Sequence, residues 1–598
     1  MQAAEIAPPI PAHPILLLDP TEVPALRARL TTGTTKPAPL LQALLTGTPE
    51  ERRRVALAVV ERIRQTCSLD KGPLPPDPPV AYSRRCAEGA YHLDIALGLG
   101  ALHPEEIADA RQRLLTSAAR VALTTPPRDT GNRPLDQAVA AGLVGLLFPE
   151  DPRSAAWVDA AVAQTRHVLD HGVWEGGAKD EVPRYHDWTV RILAGWVKAL
   201  HRRKGIDLYD HPGMRGLLDW YVRFQSPPVR LPGLPPQGLP TLPAWGDSNY
   251  GLNGSILALY APAYAERDPA FARRLMWAWR QAGSPALTGW QFDLIAPLLQ
   301  DPSLADAPQH LSTAFCRTPG YALLRGGNED PDETAVFFRG GRRSLHPRAD
   351  LGSFDLFARG VPLVLGAQSG RYGSPEHEQW HRNAEASNVV MVGAASRPRT
   401  DHGRIIAFAV RPAADYVAAD LSGRTADGAA YTWERHLLFL RPDTLVVWDH
   451  LQSPQDARWL LHTTATTFTW EPHRVVGHTP WGVDLTMDVL APAAALVPDV
   501  REGRFGDWDP QDPRRKKSDP YPFTTLQYLS LPIPAGQDAV VVLRSGRDAR
   551  SLPLKWDPQE HRLTFGTTTI TLAATGITLA DGGQSPQLLP RAVEANAR

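Results

Sequence analysis

The sequence predicts a multidomain fold in which a helical N-terminal region is followed by a C-terminal antiparallel β-sandwich. The chain has 598 residues, which is too many for one compact hydrophobic core. Its apolar residues follow a helical period up to about residue 310, and they form short β-branched or aromatic runs beyond about residue 315. We therefore predict two domains, one at residues 1–310 and the other at residues 311–598.

Amphipathic segments follow one another through the N-terminal region. In the sequence LDQAVAAGLVGLLF, which begins at Leu135, apolar residues recur at intervals of three and four, as on the buried face of a helix. The segment WTVRILAGWVKAL, which begins at Trp188, has the same period. No long heptad repeat is present, which argues against a coiled coil. Serial helical hairpins of this kind fit either an α/α toroid or a helical bundle.

Short strands separated by turn residues dominate the C-terminal region. Examples are YALLRG, TAVFFRG, SFDLFARG and AVVVLRSG, which are runs of β-branched or aromatic residues bounded by turn residues. Residues 434–451 predict a hairpin that turns at Arg441, Pro442 and Asp443. Many such strands at short intervals, with few helical segments, indicate stacked antiparallel sheets.

The composition excludes several classes of function. The 63 basic and 64 acidic residues nearly balance, so the overall charge does not favour binding to nucleic acid or to a membrane surface. The three cysteines are too few and too widely spaced for a disulfide framework or a metal knuckle. No segment has the roughly 18 apolar residues of a membrane span, and the N-terminal sequence lacks the pattern of a secretion signal. We expect a cytoplasmic protein, or a secreted or periplasmic one from which a signal has been removed.

The segment from Ser344 to Asn388 carries the most specific motif of the chain. A histidine is followed by Asp, Ser-Phe, Gly-x-Pro-Leu and Asn, at His346, Asp350, Ser353-Phe354, Gly360-Val361-Pro362-Leu363 and Asn388. This pattern resembles the start of the β-sandwich in the heparinase II/III superfamily of polysaccharide lyases. The resemblance implies an α/α toroid followed by a β-sandwich, with the active site in the cleft between them.

The resemblance implies three catalytic residues. Asn132 follows the loop at 129–131, where related lyases bind the carboxylate of the substrate, although the loop can also be read as an ordinary N-cap. Tyr185 enters a helix after an acidic, glycine-containing loop, where these lyases carry their proton-transfer tyrosine; a structural aromatic residue is the alternative. His346 lies where the family places a catalytic or carboxylate-neutralising histidine. Fixed donors aimed at the carboxylate would stabilise the charge that develops when the neighbouring carbon loses its proton.

The protonation state of Tyr185 decides which role it can take. A phenol has an ordinary pKa near 10 and is a poor base at neutral pH. We expect Arg184, Arg133 or His346 to lower the pKa of Tyr185 and make a tyrosinate accessible. As a neutral phenol, Tyr185 would instead protonate the glycosidic oxygen that leaves.

Five further residues are candidates for substrate binding. Arg133 and Arg184 adjoin the two catalytic positions of the helical region, and Arg342 lies on a basic edge of the sandwich that suits an anionic glycan. His186 is either a second ligand for the substrate or an exposed helix residue. Asp247, in a Gly-Asp-Ser stretch that resembles one in these lyases, either orients another residue or caps a helix.

Heparinase-like sandwiches often hold a structural zinc ion, and this chain lacks the matching ligands. The positions that correspond to the ligands are occupied by Arg348, Gly366 and Ser387. Arginine and glycine side chains cannot supply a zinc ligand. We therefore predict a protein without zinc and without an organic cofactor.

The resemblance implies β-elimination on a polysaccharide or oligosaccharide that contains uronic acid, such as alginate or a glycosaminoglycan. The expected partner is an anionic glycan, with no nucleic acid and no membrane. Three alternatives stay open on the same scaffold: a uronate C5-epimerase, a non-catalytic glycan-binding protein and a toroid glycoside hydrolase. The hydrolase would need two carboxylates, for which the candidates are Asp180, Glu181, Asp187 and Asp247.

Overall fold

The computed structural model shows a helical region followed by stacked antiparallel sheets. The structure describes residues 13–593, apart from 33–37, 68, 70–79, 124–126, 128, 252–253, 290, 328–331, 394–401, 426, 493–498, 507–520, 522, 546–553, 574 and 582–584. The N-terminal residues 1–12, on which the expectation about a secretion signal rests, lie outside this part of the chain.

The helical region extends from residue 20 to residue 299, and several of its helices begin with a proline, whose missing N–H costs nothing at the first position. Among the described residues the α-helices are α1 (Val23–Thr32), α2 (Pro39–Thr46), α3 (Pro49–Thr66), α4 (Val80–Gly98), α5 (Pro104–Val121), α6 (Asn132–Leu147), α7 (Ser154–His171), α8 (Pro183–Lys204), α9 (Pro212–Arg223), α10 (Leu257–Tyr264), α11 (Pro269–Gln281) and α12 (Phe292–Leu299). None of these described helices is long and apolar enough to cross a membrane.

The two helical segments predicted from apolar periodicity are confirmed, and they lie in α6 and α8. Helix α6 packs against α4, α7 and α8. A Cβ at Gly142 of α6 would lie 2.6 Å from Ala161 Cβ and 2.9 Å from the Trp196 ring, so the close approach of these helices requires glycine there. This packing fixes the N-terminal ends of α6 and α8, which carry Asn132 and Tyr185.

The strands begin after residue 313, and all their pairings are antiparallel. They are β1 (Ala314–Cys316), β2 (Tyr321–Arg325), β3 (Ala335–Arg339), β4 (Phe354–Ala358), β5 (Val361–Val364), β6 (Val390–Val392), β7 (Arg404–Val410), β8 (Ala414–Asp420), β9 (Gly423–Arg424), β10 (Ala430–Leu440), β11 (Thr444–Gln452), β12 (Ala457–Thr463), β13 (Thr467–Glu471), β14 (Arg474–His478), β15 (Asp484–Ala491), β16 (Asp499–Arg504), β17 (Thr525–Ile533), β18 (Ala539–Arg544), β19 (Leu554–Asp557), β20 (Arg562–Phe565), β21 (Thr568–Ala573), β22 (Gly576–Asp581) and β23 (Gln587–Pro590).

Two large sheets form the sandwich. The first has the order β1-β2-β3-β4-β5-β12-β17-β16, with β6 paired to β12, and the second has the order β13-β14-β15-β18-β11-β10-β8-β7, with β9 paired to β10. The predicted hairpin at residues 434–451 is confirmed as β10 and β11, in which Leu440 pairs with Thr444 across the turn. The sequence-predicted architecture, a helical toroid followed by an antiparallel β-sandwich, is the observed one.

A third sheet, formed by β19 to β23, covers the outer face of the second sheet. Leu437 and Phe439 of β10 lie in the core between the two large sheets, whereas Leu438 lies in a separate core with Ile570 and Leu589 of the third sheet. Because successive side chains of a strand face opposite sides, a strand that is apolar at every position needs cover on both faces.

The change from helices to strands falls between the end of α12 at Leu299 and the start of β1 at Ala314. The predicted boundary at residues 310 and 311 lies in this interval, and the assignment of two separate domains stays a prediction. The first sheet packs on the helical region: Phe337 of β3 and Trp245 from the segment before α10 share one core, with their ring centres 5.9 Å apart. The candidate site lies along this junction.

Candidate active site

Three loops meet at the junction between the helical region and the first sheet. The loop between α7 and α8 contacts the loop between β3 and β4, because Leu345 N donates to Asp180 O at 2.8 Å. The segment between α9 and α10 contacts the same loop, since Asp247 N donates to His346 O at 3.1 Å. These backbone bonds bring residues from distant parts of the sequence to one place.

His346 has a strained backbone conformation at this junction. Its φ is 57°, in the left-handed region that residues with a Cβ seldom adopt. Opposite it, Gly246 has a φ of 58°, and a Cβ there would lie 2.2 Å from the Val182 side chain and 2.8 Å from His346 O. Only glycine fits this turn, and its close approach fixes the position of His346.

The rings of Tyr185 and His346 stack face to face. Their centres are 3.7 Å apart and their planes differ by 7°. Tyr185 lies in the first turn of α8, which begins at Pro183. The Tyr185 hydroxyl is 2.8 Å from the hydroxyl of Tyr372, an exposed residue that follows β5. A phenol and an imidazole that the sequence predicts as catalytic therefore share one site.

Asn132 reaches the same site through Glu181. It is the first residue of α6, and its backbone amide donates to Glu181 Oε1 at 3.4 Å. His346 Nδ1 lies 3.6 Å from that same oxygen atom. The structure thus brings together the three residues predicted as catalytic, Asn132, Tyr185 and His346.

A buried group of charges lies beneath these residues. The side chains of Lys179 and Glu181 are both fully buried, with 3.6 Å between Nζ and Oε2. Lys179 Nζ also contacts the Asp180 carboxylate and donates to Thr130 O at 2.9 Å. Burial raises the pKa of Glu181 to about 7, although the Lys179 charge opposes this change. Glu181 therefore changes its protonation state near neutral pH, directly beside His346.

This raised pKa predicts how stability depends on pH. Folded Glu181 retains a proton that the unfolded chain releases, so its contribution to stability is fully present below the ordinary pKa of 4.5 and is lost as the pH rises through about 7. The Glu181→Gln variant has no such carboxyl and should not lose this stability. Its free energy of unfolding relative to the wild type should therefore rise by about 3 kcal/mol between pH 4.5 and pH 8. Denaturant-induced unfolding at both pH values measures the change.

The matched control for this prediction is Glu175→Gln, which removes an exposed carboxylate from the same loop. The difference between this control and the wild type should stay constant between the two pH values. If the free energy of unfolding of Glu181→Gln also differs from that of the wild type by the same amount at both pH values, the Glu181 carboxyl is not held protonated by the fold.

The imidazole and the phenol are both uncharged in the free protein at neutral pH. Burial lowers the pKa of His346, although the charge of Asp247 opposes the shift. Burial also raises the pKa of Tyr185, and the hydrogen bond with Tyr372 and the charge of Arg184 only partly offset it. The expectation that neighbouring cations lower the pKa of Tyr185 is therefore wrong in its net direction, because desolvation of the ring is the larger effect.

His186 lies inside the helical region and not in the cleft. It is 1% exposed, its Nε2 donates to Leu217 O at 2.9 Å, and its Nδ1 accepts from Lys179 N at 3.4 Å. Burial lowers its pKa to about 3, and the ring stacks on Trp220. The prediction that His186 contacts substrate is wrong, because one residue along a helix turns the side chain by ~100° from the face of Tyr185.

Asp247 is also buried, at 1% exposure, and it acts on the site through a neighbour. Its Oδ2 accepts from the Tyr372 hydroxyl at 2.9 Å, and its Oδ1 lies 3.9 Å from His377 Nε2. It caps none of the described helices, since α10 begins only at Leu257. Of the two roles considered, orienting another residue fits the structure, and direct contact with substrate does not.

The three predicted arginines are exposed at the rim of the site. The charge of Arg133 lowers the pKa of His346, so the two groups act on each other. Arg342 lies over the Trp174 ring at 5.7 Å, and Arg184 is in the first turn of α8. Exposed guanidinium groups are suited to carboxylate or sulfate ligands. Their role in substrate binding stays a prediction.

Two residues of the site escaped sequence reasoning. Tyr372 is 187 residues from Tyr185 in the chain, and no motif marks it. Glu181 was considered only as one carboxylate of a hydrolase, whereas the structure makes it the link between Asn132 and His346. The sequence feature that marks Glu181 is its place in the acidic loop, two residues after Lys179.

The residues at the family's zinc positions do not fit a metal ion. The Arg348 guanidinium donates to Ala367 O at 2.6 Å and to Ala244 O, so it offers no ligand atom there. Gly366 has no side chain, and Ser387 lacks the ring nitrogen of a histidine. In the part of the chain that the structure describes, no group of three His, Cys, Asp or Glu side chains could hold a metal. The absence of zinc stays a prediction.

The retained residues of the Ser344–Asn388 motif support the fold around the site. Asp350 accepts two hydrogen bonds from Arg339, at 2.7 and 2.9 Å, and one from Gly246 N at 2.6 Å. Asp350 therefore fixes the glycine turn that lies against His346. Asn388 donates to Phe354 O at 2.8 Å, which joins the end of the motif to β4.

Comparison with known proteins finds a family match within the sandwich. The sequence of residues 312–500 matches the family described as heparinase II/III-like, C-terminal. No curated protein matches the chain at a significant level.

Solved lyase structures share the fold over most of the chain. Heparan sulfate lyase HepC from Pedobacter heparinus is 14% identical, with a TM-score of 0.64, and the match covers 93% of this chain and 81% of HepC. Heparinase III is 13% identical, with a TM-score of 0.66, and the match covers 92% of this chain and 81% of that one. At these identities the likeness establishes the fold.

The fold and the junction site define a protein with the toroid-plus-sandwich architecture of the heparinases. More particularly, residues 312–500 match the family described as heparinase II/III-like, C-terminal. The resemblance predicted from Ser344–Asn388 is thereby confirmed.

Proposed function

We propose that this protein is a polysaccharide lyase that cleaves a glycan containing uronic acid by β-elimination. The observation that supports this most directly is the stack of Tyr185 on His346, with the Asn132 backbone amide 3.4 Å and His346 Nδ1 3.6 Å from the same Glu181 oxygen. Acid–base groups at one junction, with Asn132 beside them, suit removal of a proton next to a carboxylate. The similarity in fold to heparan sulfate lyase and heparinase III supports the same class of substrate.

In the proposed reaction the uronate carboxylate lies near Asn132 and Arg133. Removal of the C5 proton, which is α to the carboxylate, places negative charge on the carboxylate oxygens, and donors in fixed positions stabilise that charge. Tyr185, with or without His346, takes the C5 proton. The bond between C4 and its oxygen then breaks, C4 and C5 become doubly bonded, and the leaving oxygen receives a proton. The products are a 4,5-unsaturated uronate and a shortened glycan.

The protonation states of His346 and Tyr185 in the free protein suit these proton transfers. A neutral His346 can accept a proton, and a protonated Tyr185 can donate one to the leaving oxygen. Tyr185 can take the C5 proton itself only when its own proton passes to a neighbouring group. The exposed Arg133, Arg184 and Arg342 supply positive charge at the rim, although the chain as a whole is nearly neutral. Local charge of this kind favours an anionic glycan over a neutral one. The reaction requires no organic cofactor.

The test is incubation of the protein with a panel of uronates: alginate, heparan sulfate, chondroitin sulfate and glucuronan. A rise in ultraviolet absorbance from the unsaturated product is the expected result with at least one of them. New reducing ends without that absorbance would show a hydrolase instead. Solvent deuterium at C5 without cleavage would show an epimerase, and binding without any turnover would show a glycan-binding protein. Each of these three outcomes overturns the proposal.

A further inference from the structure

A chain of hydrogen bonds leads from Tyr185 away from His346. The Tyr185 hydroxyl lies 2.8 Å from the Tyr372 hydroxyl, which lies 2.9 Å from Asp247 Oδ2. Tyr372 is 46% exposed, whereas Asp247 is 1% exposed. This series of hydrogen bonds therefore runs from the reacting phenol, through a second phenol, to a buried carboxylate.

The direction of the hydrogen atoms in this chain follows from the acceptor at its end. An ionised carboxylate has acceptor atoms only, so the Tyr372 hydroxyl must donate to Asp247. The Tyr372 oxygen is then left as an acceptor, and the Tyr185 hydroxyl donates to it. The hydrogen of Tyr185 points towards Tyr372, and the lone pairs of its oxygen are free for another proton.

The surroundings of Asp247 hold the residue in place, and no other donor among the described residues competes with Tyr372 for its carboxylate oxygens. Its backbone amide donates to His346 O at 3.1 Å, so the residue that orients Tyr372 is fixed to the loop of the imidazole. Its second oxygen has no hydrogen-bond donor among the described residues, and the nearest ring nitrogen, Nε2 of the buried His377, is 3.9 Å away. Among the described residues, the Tyr372 hydroxyl is therefore the hydrogen-bond donor to this carboxylate.

We propose that Tyr372 and Asp247 are positioning residues that direct the Tyr185 hydroxyl and relay its proton during C5 proton removal. The inference rests on the proposed lyase function and deepens it. It explains how a protonated phenol accepts a proton: the Tyr185 oxygen receives the C5 proton while its own proton passes to Tyr372, and the Tyr372 proton passes to Asp247.

The relay balances in atoms and charge. The C5–H bond breaks, its electron pair forms the double bond between C4 and C5, and the bond from C4 to the leaving oxygen breaks. Tyr185 gives its newly acquired proton to the leaving oxygen, after which the protons on Asp247 and Tyr372 return along the chain. The net change is transfer of the C5 proton to the leaving oxygen. One negative charge moves from Asp247 to the substrate and back, and no second charge is created along the relay.

Tyr372→Phe tests the relay by removing one hydroxyl while retaining the ring. The expected result is a fall in kcat of about 10²-fold, with KM changed by less than about threefold. Asp247→Asn provides a second test, because an amide can donate to Tyr372 and reverse the chain; kcat should fall by a similar factor. Tyr82→Phe is the matched control, since that hydroxyl bonds to Ser117 at 2.9 Å, away from the relay, and its kcat should equal that of the wild type.

A solvent isotope measurement distinguishes a relay from a structural effect. In mixtures of H2O and D2O, a plot of the wild-type kcat against the deuterium fraction should curve, as expected when several protons move in one step. The same plot for Tyr372→Phe should be linear. Tyr372→Phe with kcat within twofold of the wild type overturns the relay, and so does a raised KM with unchanged kcat, which would make Tyr372 a substrate ligand. If Asp247→Asn does not fold, the exposed Tyr372 still carries the test. A wild type that yields no unsaturated product overturns the lyase function itself, so the two failures are distinguishable.

Discussion

Tyr185→Phe should lower kcat for β-elimination by about 10³-fold, the largest effect on activity that we expect from one substitution. The change removes the only group of this residue that exchanges protons, and it retains the ring that stacks on His346 at 3.7 Å. The fold around the site should therefore persist, and KM should change little. Formation of the unsaturated product, measured by ultraviolet absorbance under saturating substrate, gives kcat directly.

Two further variants make this result interpretable. Tyr528→Phe removes a hydroxyl that donates to Glu385 at 3.1 Å on the sandwich, and it should have wild-type kcat. His346→Ala removes the imidazole that stacks on Tyr185 and should also lower kcat strongly, because the phenol loses the ring that holds it in place. Full activity in both Tyr185→Phe and His346→Ala would show that the reacting groups lie elsewhere. Activity lost only in His346→Ala would make the imidazole the sole base.

The sequence predicted the residues that sit at recognisable places in local motifs. Asn132 begins a helix, Tyr185 lies in the first turn of another, and His346 lies in the motif that opens the sandwich, so short stretches that resemble the family were enough to predict that they meet. Their catalytic roles stay predictions. His186 was misassigned because its neighbour in sequence faces the cleft, whereas His186 itself faces Trp220. A helix separates adjacent residues by ~100°, and sequence alone did not say which of the two faced inward.

The parts that sequence could not predict depend on burial and on contacts between distant segments. The direction of the Tyr185 pKa shift was wrong because charges are visible in a sequence and desolvation is not. Tyr372 joins the site only because the loop after β5 folds back onto α8. The third sheet was not foreseen as a separate layer, although the apolar run in β10 indicated strands covered on both faces.

Arg348→Met should cause the largest loss of stability among single substitutions near the site. The Arg348 side chain is 3% exposed, and its guanidinium donates to Ala367 O at 2.6 Å, to His381 O at 3.4 Å and to Ala244 O. Ala244 precedes α10 and the other two acceptors follow β5, so one side chain connects the helical region to the sandwich. Methionine has a similar length but no donor, and it would leave buried carbonyl oxygens unpaired, at a cost of about 3–5 kcal/mol.

The substitution also tests how the junction supports the site, because Ala244 lies just before the Gly246 turn that fixes His346. The midpoint of denaturant-induced unfolding measures the loss, and amide exchange should rise first at residues 244–250 and 366–369. Arg404→Met is the matched control, since that side chain is 72% exposed and its ion pair among the described residues is with Asp420 at the surface, where such changes cost less than about 0.5 kcal/mol. An Arg348→Met midpoint equal to that of the control would contradict the role of Arg348. Amide exchange that stays at the wild-type rate in either segment would contradict it as well, because a guanidinium that connects two regions must protect both.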